Sequence, residues 1–184
     1  MELLAAIESR SSAARISPPG PSEEHLARIL NAATRAPDHG RLRPWRLMVL
    51  DESLKKNFAR AAAEAKRVRA PTLTDEQVAL DCQRIMRSPT IVVVACEVRD
   101  HPKIPHIEQI IAVGAAAQNL FLAAHDLGYG VMWKTGAAAY DANVKAVLGL
   151  SAHDHIVAIM HLGTRAQPGS AAQSGSTGEP GSTG

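Results

Sequence analysis

The fold class is decided by the segment Thr90-Ile91-Val92-Val93-Val94-Ala95-Cys96-Glu97-Val98. Its residues are mostly β-branched or apolar, at odd and even positions alike. A strand of this composition belongs in the middle of a sheet, because its apolar side chains point to both faces and both faces must be covered. The segment therefore predicts a central strand with other elements packed on its two sides.

The next element along the chain is a long apolar helix. Residues Ile107 to Leu127 are apolar around most of a helical circumference, and Gly128 follows, a residue type that suits a left-handed helix terminus. At 1.5 Å per residue, such a helix is about 30 Å long. We therefore predict a buried helix.

Other elements surround these two. Short apolar runs predict three more strands, over residues 46–50, 130–135 and 156–162. One helix should end near Arg10, one should follow the N-cap Ser22 and end before Pro37, and others should cover residues 53–69, 75–86 and 141–148, with Thr74 as the cap of the fourth. Four strands interspersed with long helices indicate an α+β or α/β architecture.

The chain divides into one domain and a tail. Residues 1–166 carry all the predicted strands and helices, whereas residues 167–184 are rich in Gly, Ser and Pro and have almost no large apolar group. Such a composition cannot bury enough apolar surface to offset the entropy of ordering the chain. We predict that the tail is disordered.

Composition and charge exclude several classes of function. The net charge is +2, and the chain has no dense basic run, so we predict no nucleic-acid partner. The cations of residues 55–69 alternate with Ala and Glu, which predicts a solvated helix face. Two cysteines are too few for a disulfide framework and favour the cytoplasm. No export signal is evident, and the apolar run Ile110 to Ala124 is shorter than the roughly 20 residues of a membrane span.

Two polar segments offer groups for binding. Residues 34–46 place four arginines and His39 between a helix and a strand. Arginine gives fixed donors to phosphate or carboxylate and also stacks on flat rings, although this segment alone fits a solvated loop as well. The cluster Arg10-Ser11-Ser12 with Arg15 offers two cations and two hydroxyls for a phosphate, or forms an ordinary basic helix terminus.

Metal and nucleophile chemistry have little support in the sequence. No His-Glu-x-x-His pair occurs, and His106 and Glu108 diverge on a helical surface. No Gly-x-Ser-x-Gly elbow is present, and Cys96 lies in a strand predicted to be buried, where a thiol is inert. We predict neither a metal site nor a serine or cysteine nucleophile.

Four motifs, taken in order, resemble the nitroreductase superfamily and its small single-domain branch. They are Arg10-Ser11-Ser12-Ala13-Ala14-Arg15, Arg35-Ala36-Pro37-Asp38-His39 leading to Pro44-Trp45, Gly130-Val131-Met132-Trp133-Lys134-Thr135-Gly136, and Leu162-Gly163-Thr164. The resemblance covers about residues 1–165 and favours binding for the loop from Arg35 to Trp45. It implies an α+β, three-layer fold with a mixed, mainly antiparallel sheet flanked by helices, in an obligate homodimer.

The resemblance also implies a cofactor and its ligands. Two FMN molecules would lie at the subunit interface, and the long helix would form the dimer core. The implied ligands are Arg10, Ser11 and Ser12 for the phosphate and ribityl chain, Arg35 and His39 from the partner subunit, and Trp133, Lys134 and Thr135 along the flavin. The nicotinamide would bind near residues 122–127.

The implied reaction is a ping-pong hydride transfer. NAD(P)H is the co-substrate, and a small electron-poor acceptor such as a nitroaromatic or a quinone takes the electrons. The flavin performs the redox step, so no side chain is assigned as acid or base, and Lys134 is the candidate cation beside the reduced flavin. Two alternatives stay open: a flavin carrier or sensor without turnover, and a specialised relative that fragments flavin or removes a halogen.

Two positions depart from the family pattern. Arg43 stands where relatives often have Gln, and Arg165 where they often have Pro. Many relatives complete the phosphate site with a basic residue near the C-terminus, but no Lys or Arg follows Arg165 here. Either Arg165 takes this role or the cluster at residues 10–12 binds the phosphate alone.

Overall fold

The computed structural model describes residues 2–165, so the predicted disorder of the tail lies outside the described residues. Five strands are found in this range: β1 Ile16–Ser17, β2 Trp45–Val49, β3 Thr90–Cys96, β4 Tyr129–Lys134 and β5 His155–Arg165. Six α-helices accompany them: α1 Leu3–Ser9, α2 Glu23–Ala33, α3 Glu52–Arg69, α4 Asp75–Met86, α5 His106–Asp126 and α6 Ala142–Val147. Short 3-10 turns cover His39–Arg41 and Ala137–Tyr140.

The sheet of the described residues is antiparallel throughout. Its strands follow the order β4, β5, β3, β2, and β1 pairs with β5 beyond the start of β3. The strands β3 and β4 run in the same direction, but β5 lies between them and is antiparallel to both. Among these residues the predicted mixed, mainly antiparallel sheet has only antiparallel pairings, because β5 separates β3 from β4.

The strand β3 is the centre of the fold, as predicted. Its residues 91–96 are fully buried and alternate between the two faces of the sheet. Val92, Val94 and Cys96 pack in the cluster that contains α2 and α5, whereas Ile91, Val93 and Ala95 pack in the cluster that contains α3 and α6. Helices therefore cover both faces, and the three-layer arrangement is confirmed.

Local sequence signals set the helix starts. The Ser22 side chain accepts a hydrogen bond from the backbone N–H of His25, as expected for an N-cap. Thr74 and Gln77 form a reciprocal capping box at the start of α4. Gly128 has a φ of +86°, the left-handed conformation that ends α5.

The long helix α5 is buried on one face only. Val113, Ala117 and Leu120 are fully buried against the sheet, whereas Ile107 and Ile111 are 59% and 64% exposed. The expectation of a buried helix therefore holds for one side. Its 21 residues are long and apolar enough to cross a membrane by length and composition, but a helix packed against a sheet is equally expected in the core of a soluble protein.

Candidate functional site

The end of β4 opens onto a cavity of about 320 Å³. Lys134 and Thr135, both named from the sequence, line it. The remaining walls are largely apolar and come from α3, α4, β5 and the turn after β4: Phe58, Ala62, Ala63, Ile85, Ala137, Ala138 and Ile159. Apolar walls with a few polar groups suit a small organic ligand.

A smaller cavity of about 90 Å³ adjoins the first. The two share Arg84, Lys134 and His161, so they form one continuous depression that we term the basic groove. Arg15 and Arg87 also line the smaller cavity. Its four cations create a positive potential that attracts an anion or an electron-rich group.

The strand register explains which side chains reach the groove. Met132 pairs with His161, and Lys134 pairs with Ile159, so these residues share the face of the sheet that α3 covers. Trp133 points to the opposite face, where it packs in the α5 cluster and its Nε1 donates to the Val157 carbonyl at 3.3 Å. A ligand in the groove therefore meets Lys134 directly and the Trp133 backbone at most.

One carboxylate organises the cations on the helical side of the groove. Asp81 accepts hydrogen bonds from Lys66 and from Arg84, the latter at 3.0 Å. The Lys66 ammonium is the largest cause of a lowered pKa at Asp81, and Arg84 adds to it. Asp81 is therefore ionised and fixes both cations at the rim.

Four of these groove residues were not predicted from the sequence. Lys66, Asp81, Arg84 and His161 belong to no motif, and the signal that could have found one pair is the i,i+3 spacing of Asp81 and Arg84 on α4. The cations of residues 55–69 were expected on a solvated face, but Lys55 is only 4% exposed and Lys66 lines the groove. The amphipathic pattern places Lys55 and Lys66 near the core side of α3, where their long stems pack.

His161 lies between the two cavities and is only 6% exposed. Burial is the main reason that the pKa of His161 falls from 6.5 to about 4, and the ammonium groups of Lys134 and Lys55 contribute. The imidazole is therefore neutral at pH 7.

This neutral histidine makes stability depend on pH. The unfolded chain binds a proton at His161 below about pH 6.5, whereas the folded chain does so only near pH 4, so acid favours unfolding in that window. Between pH 7 and 4.5 the free energy of unfolding should fall by about 2 kcal/mol more in the wild type than in His161→Gln. Urea titrations at both pH values measure this difference, and equal losses in both proteins would contradict it.

The segment after α1 lies along the free edge of β4. The backbone N–H of Ala13 donates to the Val131 carbonyl at 2.8 Å, which holds the chain after α1 against β4. Arg165 donates from Nη1 to Ser11 Oγ at 3.0 Å and from Nη2 to the Ser11 carbonyl at 2.8 Å. We term Arg10, Ser11, Ser12 and Arg165 the terminal cluster.

Arg10 of this cluster is partly buried, and its guanidinium lies 4.9 Å above the Phe121 ring of α5. The stacking fixes the cation without consuming its N–H donors. Arg165 lies beside Ser11, and its assignment to the phosphate, one of the two alternatives that the sequence left open, stays a prediction.

Arg35 and His39 lie elsewhere in the chain. Arg35 lines a groove of about 390 Å³ between α1, α2 and α5, together with Asn119 and Leu122. His39 Nδ1 contacts Glu108 Oε2 at 2.6 Å near the start of α5. Neither residue lines the basic groove of its own chain.

The described residues offer little support for a thiol nucleophile or a metal site. Burial raises the pKa of the Cys96 thiol to about 11, so it is protonated and inert, as predicted. Within residues 2–165, no group of three or more His, Cys, Asp or Glu side chains is arranged to hold a metal ion.

Sequence comparison supplies the family context. Residues 7–164 match the model of the Nitroreductase family. The chain is 32% identical over 166 residues to the Escherichia coli (strain K12) protein named "Putative NAD(P)H nitroreductase YdjA", covering 89% of this chain and 88% of that protein. A Haemophilus influenzae protein named "Putative NAD(P)H nitroreductase" is 30% identical over 174 residues, covering 89% of each.

Solved structures share the fold. The "Nitroreductase-like Family Protein from Bacillus cereus" matches with a TM-score of 0.75 and 26% identity over 98% of this chain and 92% of that chain. A Desulfovibrio desulfuricans protein, "a putative nitroreductase in complex with fmn", matches with a TM-score of 0.69 and 24% identity over 99% of both chains.

Proposed function

Since the chain belongs to the nitroreductase family, we propose that it is an FMN-dependent NAD(P)H oxidoreductase that reduces small electron-poor acceptors such as nitroaromatics or quinones. The observation that carries the proposal is the basic groove, which combines apolar walls with a cationic end. The FMN bound to the Desulfovibrio desulfuricans neighbour supports the choice of cofactor. We place the protein in the cytoplasm, as the two cysteines suggest.

The residues present fit the two chemically different parts of FMN. The phosphate would bind the terminal cluster, where guanidinium and hydroxyl groups offer charge-assisted hydrogen bonds. The ring would lie in the basic groove, with Lys134 and Arg84 at its electron-rich end. Arg15 and Arg87 add positive charge there.

When bound, the flavin supplies the hydride chemistry. The protein binds and orients the ring, and the cations of the groove favour negative charge that develops on it. Apolar walls such as Phe58 and Ile159 limit the access of water. No side chain in the groove is assigned as an acid: Asp81 is ionised, and His161 is uncharged at pH 7.

We further propose that a second copy of the chain completes the site. Arg35 and His39 do not line the basic groove of their own chain, and His39 contacts Glu108 through Nδ1 only, so the Arg35 guanidinium and His39 Nε2 would serve the site of a partner. The exposed face of α5, with Ile107 and Ile111, would lie in the dimer interface. The nicotinamide would bind near residues 122–127.

The proposed activity is tested with the purified protein. A yellow protein with flavin absorbance is expected, and mixing with NADPH or NADH should bleach it rapidly in a stopped-flow spectrometer. Addition of a nitroaromatic should then restore the absorbance. Protein that cannot bind FMN would disprove the proposal, and FMN-bound protein that is not bleached would indicate a carrier or sensor.

Replacing Arg165 should distinguish the binding of the FMN phosphate from the binding of the flavin ring. Arg165→Ala removes a guanidinium from the terminal cluster, so the Kd for FMN should rise about 10-fold or more. Riboflavin lacks the phosphate, and its Kd should not change. Arg165→Lys is the matched control, because it keeps the charge and should lose less FMN affinity. Equal losses of affinity for FMN and for riboflavin would show that Arg165 does not bind the phosphate.

A further inference from the structure

His161 is a buried polar side chain without a partner in its own chain. Among residues 2–165, neither ring nitrogen has a hydrogen-bond partner. No polar side-chain atom in this range is both sealed from solvent and unpaired, so the unpaired nitrogens of His161 must be reachable from the cavities that it lines. A reachable nitrogen in this position can form a direct hydrogen bond with a ligand that enters the cavities.

The surroundings of His161 determine what kind of ligand group it suits. The charged groups around it are Lys55 and Lys66 of α3, Asp81, Arg84 and Arg87 of α4 and its C-terminus, Lys134 of β4 and Arg15. Burial is the main reason that the pKa of His161 is lowered and the ring is neutral, and the ammonium groups of Lys134 and Lys55 contribute. A neutral imidazole carries one N–H donor and one acceptor nitrogen, whereas the neighbouring lysines and arginines only donate.

The location of His161 indicates which part of a flavin it would contact, the ring or the phosphate. The larger cavity has apolar walls such as Phe58 and Ile159, and His161 lines it together with Lys134. The terminal cluster, which offers guanidinium groups to a phosphate, includes neither His161 nor Lys134. An uncharged donor and acceptor therefore matches the carbonyl and N–H groups at the polar edge of an isoalloxazine better than a phosphate.

We propose that His161 is a cofactor-binding residue that forms a hydrogen bond to the polar edge of the flavin ring from the floor of the basic groove. The inference rests on the proposed FMN function and adds a residue that no motif contains. A cation is not equivalent at this position, because it could not accept a hydrogen bond from the ring.

Flavin titrations of matched variants test the assignment. His161→Phe fills the space without hydrogen-bonding groups, His161→Gln keeps a neutral donor and acceptor, and His153→Gln changes an exposed histidine outside the groove. We expect the Kd values for FMN and riboflavin to rise about 10-fold in His161→Phe, and to stay within about threefold of wild type in the other two variants. Far-ultraviolet circular dichroism verifies that each variant is folded.

Several outcomes would overturn the proposal. An unchanged FMN affinity in His161→Phe is one such outcome. Another is a loss of affinity for FMN but not for riboflavin, because this result would indicate that His161 contacts the phosphate. Wild-type protein that binds neither flavin would instead disprove the proposed function.

A measurement on the unmodified protein covers the case in which His161→Phe does not fold. In ¹⁵N-histidine-labelled wild type, the ring resonances of His161 are assigned by their absence from the spectrum of His161→Gln. Saturation with FMN should shift the ring N–H resonance of His161 and leave that of His153 in place. Unshifted His161 resonances in the saturated protein would contradict the hydrogen bond.

Discussion

Gly163→Ala should destabilise the protein by about 3 kcal/mol or more, because the added methyl group has no room. A Cβ atom at this position would lie 2.5 Å from Ile16 Cγ2, 2.8 Å from the Ser17 carbonyl oxygen and 2.9 Å from Pro89 Cγ. The carbonyl belongs to the backbone of β1, so a rotamer change cannot relieve the overlap. Urea denaturation followed by circular dichroism measures the loss.

Gly128→Ala is the matched control for this substitution. Gly128 has a positive φ, but a Cβ there would meet nothing within 4 Å, so only the strain of a left-handed alanine remains, about 1 kcal/mol. If Gly163→Ala lowers the free energy of unfolding no more than Gly128→Ala does, β1 can move aside, and the prediction is wrong. The close approach matters for the site because β1 follows Arg15 and because β5 ends at Arg165.

Local signals in the sequence were sufficient for most of the fold. The caps Ser22 and Thr74 and the glycine after α5 placed the helix ends, because these interactions involve only neighbouring residues. The composition of β3 gave its central position. The strand order could not be predicted in this way, because the insertion of β5 between β3 and β4 depends on contacts between residues far apart in the chain. β1 was missed because its two residues form no periodic pattern.

The residues of the candidate site also fall into those that the sequence could identify and those that it could not. Lys134, Thr135 and the cluster at residues 10–12 occur in contiguous motifs, and the sequence could name them. Arg84 and His161 come from a helix and a strand with ordinary patterns, and only tertiary packing brings them to the same groove. The assignment of each named residue to FMN stays a prediction.

Mixing two defective variants should restore flavin binding if the site is shared between subunits. Arg35→Ala and Lys134→Ala each remove one cation, and each homodimer should bind FMN about 10- to 100-fold more weakly than wild type. Arg60→Ala, which changes an exposed arginine of α3, is the control and should bind normally.

The hybrid dimer distinguishes the shared site from a site within one chain. If Arg35 acts on the partner's flavin, one site of the hybrid loses both cations and the other keeps both, so the hybrid should bind about one FMN per dimer with wild-type affinity. If Arg35 acts within its own chain, each site lacks one cation and both stay weak. Differently tagged chains, co-expressed and purified on both tags, allow the stoichiometry to be measured by flavin fluorescence. The separation of Arg35 from the basic groove in the single chain favours the first outcome, because the α1–α2–α5 groove that holds Arg35 shares no lining residue with the cavity of Lys134.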